Sequence, residues 1–347
     1  IDEMAFACGM DPLDFRLRNY AEVEPISGHP FSSKALRECY AQGAARFGWA
    51  GRPLAPRSMR DEDGMLVGWG MGTATFPALM MQAHALHLDM DATEFRSGSS
   101  DLPDAGIAGG SSHTATTGMA IHAAGKDVVA RLAALATADE ASPLHGAGNA
   151  GVTARDGRLY VQGDESRSES YADILRRAGV SHIEGKGTGA ADAATQEGYA
   201  LHAHGAVFAE VKVDPDLGQV HVTRMIGAFA AGRIINPRMV ESQYLGGMIW
   251  GLSFALLEKA EVDRRTGRVM NADLGDYHVP VNADVTGMSC ILVPEEDGIV
   301  NALGIKGVGE IGITGSAGAV ANAVWHATGR RIRRFPIAIE DILAGAD

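Results

Sequence analysis

The chain has 347 residues, 46% of them apolar and 21% charged, with a net charge of −13 and only three cysteines. Such a length supports a large core in one or two domains. The acidic balance argues against a nucleic-acid partner, no apolar run reaches membrane-spanning length, and Cys8, Cys39 and Cys290 lie too far apart for a metal or redox motif. An odd cysteine count also argues against a disulfide framework, so a reducing, cytoplasmic setting is the default expectation. The one dense basic run, "GRRIRRF" (329–335), reads as a solvated face or a subunit contact.

The chain opens "IDEMAFACGM", with no initiator Met and no signal pattern. Ile1, Met4, Ala5 and Cys8 share one helical face, and Gly9 reads as a stop. This start predicts a fragment or processed product of something longer. Asp11 and Pro12 then cap and open a second helix, "DPLDFRLRNY". Residues 30–50 have helical periodicity, 51–64 read as a surface loop, and 64–76 as a glycine-rich strand. A helix is expected over 81–90 and a short strand over 92–98. The polar, glycine-rich loop 100–118 leads into a helix over 119–140.

Residues 151–161 predict a hairpin turning at Asp156-Gly157. The segment 184–198 is poor in bulky apolar residues and reads as a linker. A second hairpin is expected over 206–229, about "DPDLGQ", and a third over 262–271. Helices are expected over 239–259 and 317–329, the latter stopped by Gly329, with a strand over 287–294 between them. The βαβ rhythm of a parallel sheet is absent, which predicts an α+β fold. No repeat of fixed period is present.

Two segments carry candidate chemistry. In "GIKGVGEIGITGSAGA" (304–319) a single acid, Glu310, sits among glycines. One reading is a carboxylate facing a helix dipole, worth roughly 0.3–1 kcal/mol. The other is a base reaching into a site filled by a large ligand. In "GGSSHTATTG" (109–118) two glycines, hydroxyls and a His precede a helix. That arrangement suits an anion site made of N–H groups and hydroxyls, or plain N-capping by Ser112 or Thr114. The Walker, Rossmann, HExxH, calcium-loop and nucleophile-elbow patterns are all missing. His84 and His87 lie close together, but a core or surface role suits them better than a metal.

The blocks "DPLDFRLRNY", "GGSSHTATTG", "FAEVKVDPDLGQVHVTR", "GRIINPRMVESQYLGGMIWGLSFALLE", "TGRVMNADLGDYHVP" and "GIKGVGEIGITGSAGAVANAVWHATG" together resemble the molybdenum-binding large subunit of the xanthine dehydrogenase and aldehyde oxidase family. Bacterial aldehyde and isoquinoline oxidoreductases are the types most similar. The resemblance implies an α+β fold made of the C-terminal part of that subunit. Residues 1–20 would be the tail of the first molybdopterin-binding segment. Residues 21–183 and 199–347 would be the two halves of the second, with 184–198 as linker.

It further implies a molybdenum-bearing pterin, in bacteria often the cytosine dinucleotide, with iron–sulfur clusters and FAD on partner subunits. Glu310 would be the general base in hydroxylation of an aldehyde or N-heterocycle. Lys306, Gly307, Val308 and Gly309 would pass beside the pterin. Gly109, Gly110, Ser111, Ser112, His113 and Thr114 would grip the cofactor. The implied partners are the N-terminal half of the subunit, an iron–sulfur subunit and an FAD subunit. Some relatives are exported with a partner's signal, which makes the periplasm the alternative compartment.

The sequence departs from the family in two places. The N-terminal half of the subunit is missing, and residues 68–91 are short of strands and of a Gly-Gln-Gly-like loop between Ala78 and Ala83. Both departures bear on whether the chain binds cofactor alone. A cofactor-free remnant acting as scaffold or assembly partner is the competing expectation.

Overall fold

The computed structural model describes residues 1–79, 83–85, 98–189 and 193–344. In chain order the first elements are α1 (Asp2–Ala7), α2 (Pro12–Arg18), α3 (Leu36–Phe47), β1 (Met59–Arg60), β2 (Leu66–Pro77) and β3 (Ala83–Ala85). Next come α4 (His113–Ala138), β4 (Val152–Arg155), β5 (Arg158–Val161), β6 (Asp164–Ser170), α5 (Tyr171–Ala178), β7 (Gly187–Gly189) and α6 (Ala193–Gln196). The chain closes with β8 (His202–Val213), β9 (Val220–Ala230), α7 (Pro237–Leu256), β10 (Met288–Leu292), α8 (Ile311–Thr328) and α9 (Ile339–Leu343). The fold is α+β, as expected, and divides into two compact units.

The first unit comprises Ile1–Leu79, Ala193–Val300 and Gly304–Asp347. Its sheet runs β1-β2-β8-β9-β10, antiparallel except for the β9/β10 pair. The β8–β9 hairpin turns where "DPDLGQ" predicts, with Asp214 Oδ1 accepting the Asp216 and Leu217 N–H groups at 2.8 and 2.9 Å. Side chains alternate between the sheet's faces, as the pleat requires. Phe208, Ile226 and Ala228 cluster with Tyr40 and Phe47 of α3. Val207, Ala209, Met225 and Phe229 cluster with α7 and α8. Asp11 caps α2 as expected, its Oδ1 accepting the Leu13 N–H at 2.7 Å.

Helix α8 lies against β2 at unusually short range. A side chain on Gly68, Gly70 or Gly72 would come within 2.0, 2.2 and 2.1 Å of the α8 backbone at Ala323 and Gly315. Only a strand without side chains on that face admits the helix. His326 then locks it sideways: Nδ1 accepts the Trp69 N–H at 3.0 Å, so Nε2 carries the proton and meets the Pro53 carbonyl at 2.9 Å. At the other face, Gly247 of α7 meets Gly312 so closely that an added Cβ would lie 3.0 Å from the Gly312 Cα.

The second unit comprises Met80–Asp192 and Asn301–Leu303. Its three-stranded sheet, β4-β5-β6, packs Leu159 into a small core with Leu132 and Ala136 of α4 and Ile174 of α5. The predicted turn is present, with Asp156 at φ 51° and Gly157 at φ 71°. β7 pairs with β3, and Gly185, Gly187 and Gly189 bring the chain to within 2.2–2.5 Å, measured from an added Cβ, of the α4 backbone. The scarcity of bulky residues over 185–189 thus has a packing reason.

Several expectations need correction. Residues 83–85 form a strand, not a helix; 81–82, 86–90 and 92–97 lie outside the described residues. The expected third hairpin is reduced to one bridge, Val262 with Val269. Helices α4 and α8 begin at His113 and Ile311, well before the expected 119 and 317. Glycine and threonine in their first turns lower intrinsic propensity, and packing against glycine strands overrides it.

Two outcomes follow. Gly70→Val must push α8 off the sheet, and denaturant unfolding should show a loss of about 3 kcal/mol or more, or no folded protein. Burial pushes the His326 pKa down to about 4 and that of His204 down to about 3. Unfolded histidines take up protons near pH 6.5, so stability is complete above that pH and falls below it. Urea unfolding should show a loss of about 1 kcal/mol per histidine by pH 5.5, and His326→Gln should flatten that decline.

Candidate active site

The loop before α8 is anchored by main chain and by a buried ion cluster. The Lys306 N–H donates to the Ala231 carbonyl at 3.1 Å, and the Arg233 N–H donates to the Gly304 carbonyl at 2.7 Å. The loop therefore continues antiparallel beside the end of β9. The fully buried Lys306 ammonium sits 3.0 Å from Glu295, 3.1 Å from Asp297 and 2.6 Å from the Ser33 hydroxyl. Glu295 also accepts the N–H groups of Ala35 and Gly232, at 3.0 and 2.8 Å. Asp297 accepts from Ser32, Ser33, Ile299 and Val300.

This cluster joins the start of α3, the end of β9 and the chain after β10 to the glycine loop. It also directs the Lys306 side chain inward, so a cofactor contact at this residue would fall to its main chain. Burial opposes the charge on Asp297, but the Ser32 hydroxyl, Lys306 and the Val300 N–H outweigh it and hold the carboxyl below the ordinary carboxylate range. Gly307 is buried, Val308 packs against the α7/α8 core, and Gly309 is half-buried.

Glu310 occupies the N-cap position of α8, at φ −113° and ψ −16°, and its side chain makes no capping hydrogen bond. Its carbonyl accepts the Ile313 N–H at 3.1 Å. The next residue, Ile311, is fully buried, and Gly312 is pressed against α7. The backbone around Glu310 is therefore fixed while its carboxylate stands half-buried at the helix N-terminus. The acid does not sit several residues ahead of the helix, as the sequence suggests. It stands where the dipole favours negative charge.

In the second unit, Gly110 and Ser111 take successive positive φ values of 60° and 55°. Ser112 is buried at the N-cap position of α4, but its hydroxyl turns back to donate to the Gly109 carbonyl at 2.8 Å. The expected N-cap bond from Ser112 is therefore not made. His113 and Thr114 are exposed in the first turn. A helix start of this kind presents N–H groups to an anion. Sequence reasoning offers Ser32 or Ser33 only as the cap of the helix over 30–50, where Ala35 stands instead, and misses Glu295 and Asp297. The local signal was a run of three acids, Glu295, Glu296 and Asp297, directly after Val293-Pro294 at the end of a strand.

Among the described residues, no three or more His, Cys, Asp or Glu gather as a metal site, and no helix is long and apolar enough to cross a membrane. Residues 66–286 match the family model of the molybdopterin cofactor-binding domain, and the chain belongs to that family. Glu310 and the loop before it lie beyond the matched residues.

The chain is 32% identical to the aldehyde oxidoreductase molybdenum-binding subunit PaoC of Escherichia coli K12, over 99% of this chain and 49% of PaoC. It is 27% identical to the putative xanthine dehydrogenase molybdenum-binding subunit XdhA of the same organism, over 97% of this chain and 50% of XdhA. Quinoline 2-oxidoreductase from Pseudomonas putida 86 shares the fold, with a TM-score of 0.79 at 19% identity, over 99% of this chain and 50% of that one. The chain thus spans about half the length of the relatives it matches.

Removing the Lys306 charge leaves two buried carboxylates facing each other. Lys306→Met should lower unfolding free energy by about 3–5 kcal/mol, read by urea titration at pH 7. Because the Asp297 pKa is depressed on folding, its contribution is present above the ordinary carboxylate range and lost as pH falls through the folded value.

Proposed function

We propose that the chain is the part of a molybdenum hydroxylase catalytic subunit that carries the general base, acting on an aldehyde or an N-heterocycle together with the rest of that subunit. The observation that carries this reading is Glu310, a half-buried carboxylate on a backbone locked by Lys306, Gly312 and α7, in a chain of the molybdopterin-binding family. The donor set fits the group: glycine main chain, helix N-termini and hydroxyls suit a pterin and its phosphate, and the metal needs no ligand from this chain.

When bound, the molybdenum-bearing pterin supplies the oxygen to be transferred and accepts two electrons. The chain's own residues hold it and handle the proton. Main-chain groups of Lys306, Gly307, Val308 and Gly309 would hold the cofactor. Gly109, Gly110, Ser111, His113 and Thr114 would meet its phosphate or pterin, with Ser112 holding the turn through its bonds to the Gly109 carbonyl. The Glu310 carboxylate accepts the proton released during hydroxylation, and its fixed backbone sets the point from which the side chain reaches. Iron–sulfur clusters and FAD on partner subunits would be the electron acceptors.

The competing reading is a cofactor-free scaffold or assembly partner. Molybdenum analysis and pterin fluorescence separate the two. The enzyme reading expects about one molybdenum per chain when the chain is assembled with the rest of the subunit, and none in either state supports the scaffold. Glu310→Gln in the assembled enzyme should keep its molybdenum and lose about 10²–10⁴-fold in turnover of a test aldehyde or N-heterocycle. Turnover within a few-fold of wild type removes Glu310 from the chemistry.

A further inference from the structure

The loop that leads to Glu310 is pinned at both ends. At the helix end, Gly312 is pressed against α7, where an added Cβ would lie 2.8 Å from the Tyr244 carbonyl. At the other end the chain pairs with the continuation of β9. The Arg233 N–H bonds the Gly304 carbonyl and the Lys306 N–H bonds the Ala231 carbonyl, on either side of the Gly232/Ile305 bridge. Gly307, Val308 and Gly309 stand between Lys306 and the N-cap at Glu310. Glycine imposes little conformational preference of its own, so the path of these three residues is set by the two pins.

The second pin has no hold of its own at its centre. Gly232 and Gly304 take φ values of 66° and 69°, and a Cβ on Gly232 would meet the Gly304 carbonyl oxygen at 2.2 Å. Such an approach requires glycine, and glycine has no side chain with which to secure it. The securing group comes from the chain after β10. Glu295 Oε2 accepts the Gly232 N–H at 2.8 Å from one side of the pairing and the Lys306 ammonium at 3.0 Å from the other. Its Oε1 accepts the N–H of Ala35, the N-cap residue of α3, at 3.0 Å. One carboxylate thus ties both chains of the pairing to the helix on the sheet face opposite α8. Asp297 does not do this: besides Lys306 it bonds Ser32, Ser33 and the N–H groups of its own turn. The Glu295 side chain is only 3% exposed, so whatever it does for the site it does through the main chain.

We infer that Glu295 is a positioning residue for the reaction. It fixes where Gly307, Val308 and Gly309, the main chain proposed to hold the cofactor, run relative to Glu310, whose own place is set by α8. This rests on the reading of Glu310 as the base.

The test uses Glu295→Gln, which keeps the side chain's length but turns one acceptor into a donor. Ser33→Ala is the milder companion and removes the hydroxyl 2.6 Å from the Lys306 ammonium. In the 347-residue chain alone, hydrogen exchange should quicken about tenfold or more at the Arg233 and Lys306 N–H groups of Glu295→Gln, with N–H groups inside α8 such as that of Ala323 unchanged. In the assembled enzyme, kcat per bound molybdenum on a test aldehyde or N-heterocycle should fall about 10–10²-fold in Glu295→Gln and several-fold in Ser33→Ala, with KM within about threefold of wild type, since a misplacement of about 1 Å costs on that order. A purely stabilising role predicts fewer loaded sites, each turning over at the wild-type rate, or exchange that quickens everywhere alike. Either result overturns the inference, as does an unaltered exchange pattern. Should Glu295→Gln not fold, Ser33→Ala decides: a several-fold loss of kcat per molybdenum supports the inference, and the wild-type value overturns it. Failure of the enzyme reading looks different: wild type holds no molybdenum, or Glu310→Gln turns over normally, while exchange at Arg233 and Lys306 still depends on Glu295.

Discussion

The structure depends on a helix lying directly on a strand that has no side chains beneath it. Gly68, Gly70 and Gly72 bring the α8 backbone against β2 at distances no alanine would permit. Everything proposed for the site follows from that seating. It sets the height of α8 over the sheet, and with it the position of Glu310 at the helix N-terminus. His326 fixes the helix at its far end, and Gly247 of α7 bounds its first turn from the other side. Such a support fixes the point from which the Glu310 side chain extends.

The second unit uses the same device. Gly185, Gly187 and Gly189 bring their strand against α4, which also begins after a glycine turn and carries the other candidate segment at its start. In both units the alternating glycines place a helix N-terminus, and the loop just ahead of it is the candidate for ligand contact. Backbone packed on backbone leaves few rotamers to rearrange, so these helix starts are stiff without large side chains around them. In the first unit the Lys306 cluster adds an electrostatic tie, with one ammonium between two carboxylates that are otherwise satisfied by main-chain N–H groups and serine hydroxyls.

Much of the element order was legible in the sequence. The Asp11-Pro12 cap, the Asp156-Gly157 turn, the β8–β9 hairpin and the long helix α7 all stand where local chemistry put them. The helix starts were not legible, because Gly312, Gly315 and Gly318 argue against a helix on propensity. The strand at 83–85 was hidden for a related reason: its partner Gly187–Gly189 looks like linker when only bulk is counted. In both cases a G-x-G-x-G spacing, "GWGMG" and "GKGTG", was the available signal, because period-two glycine in a strand marks a close backbone neighbour.

Alone, the sequence determined the α+β class, the caps and turns, and the resemblance carried by its long blocks, since each of these is set by residues near one another in the chain. Its single acid among glycines was also visible, as a residue type in an odd place. What only the tertiary structure decided was which way groups point and what they meet. Lys306 turns inward to Glu295 and Asp297, Ser112 turns back to Gly109, and Glu310 stands at a helix start instead of ahead of it. Their partners are near in sequence, but their directions are set by packing against distant segments, such as Ser33 on Lys306 and Gly72 under α8, and by the absence of atoms at glycines, neither of which local patterning encodes.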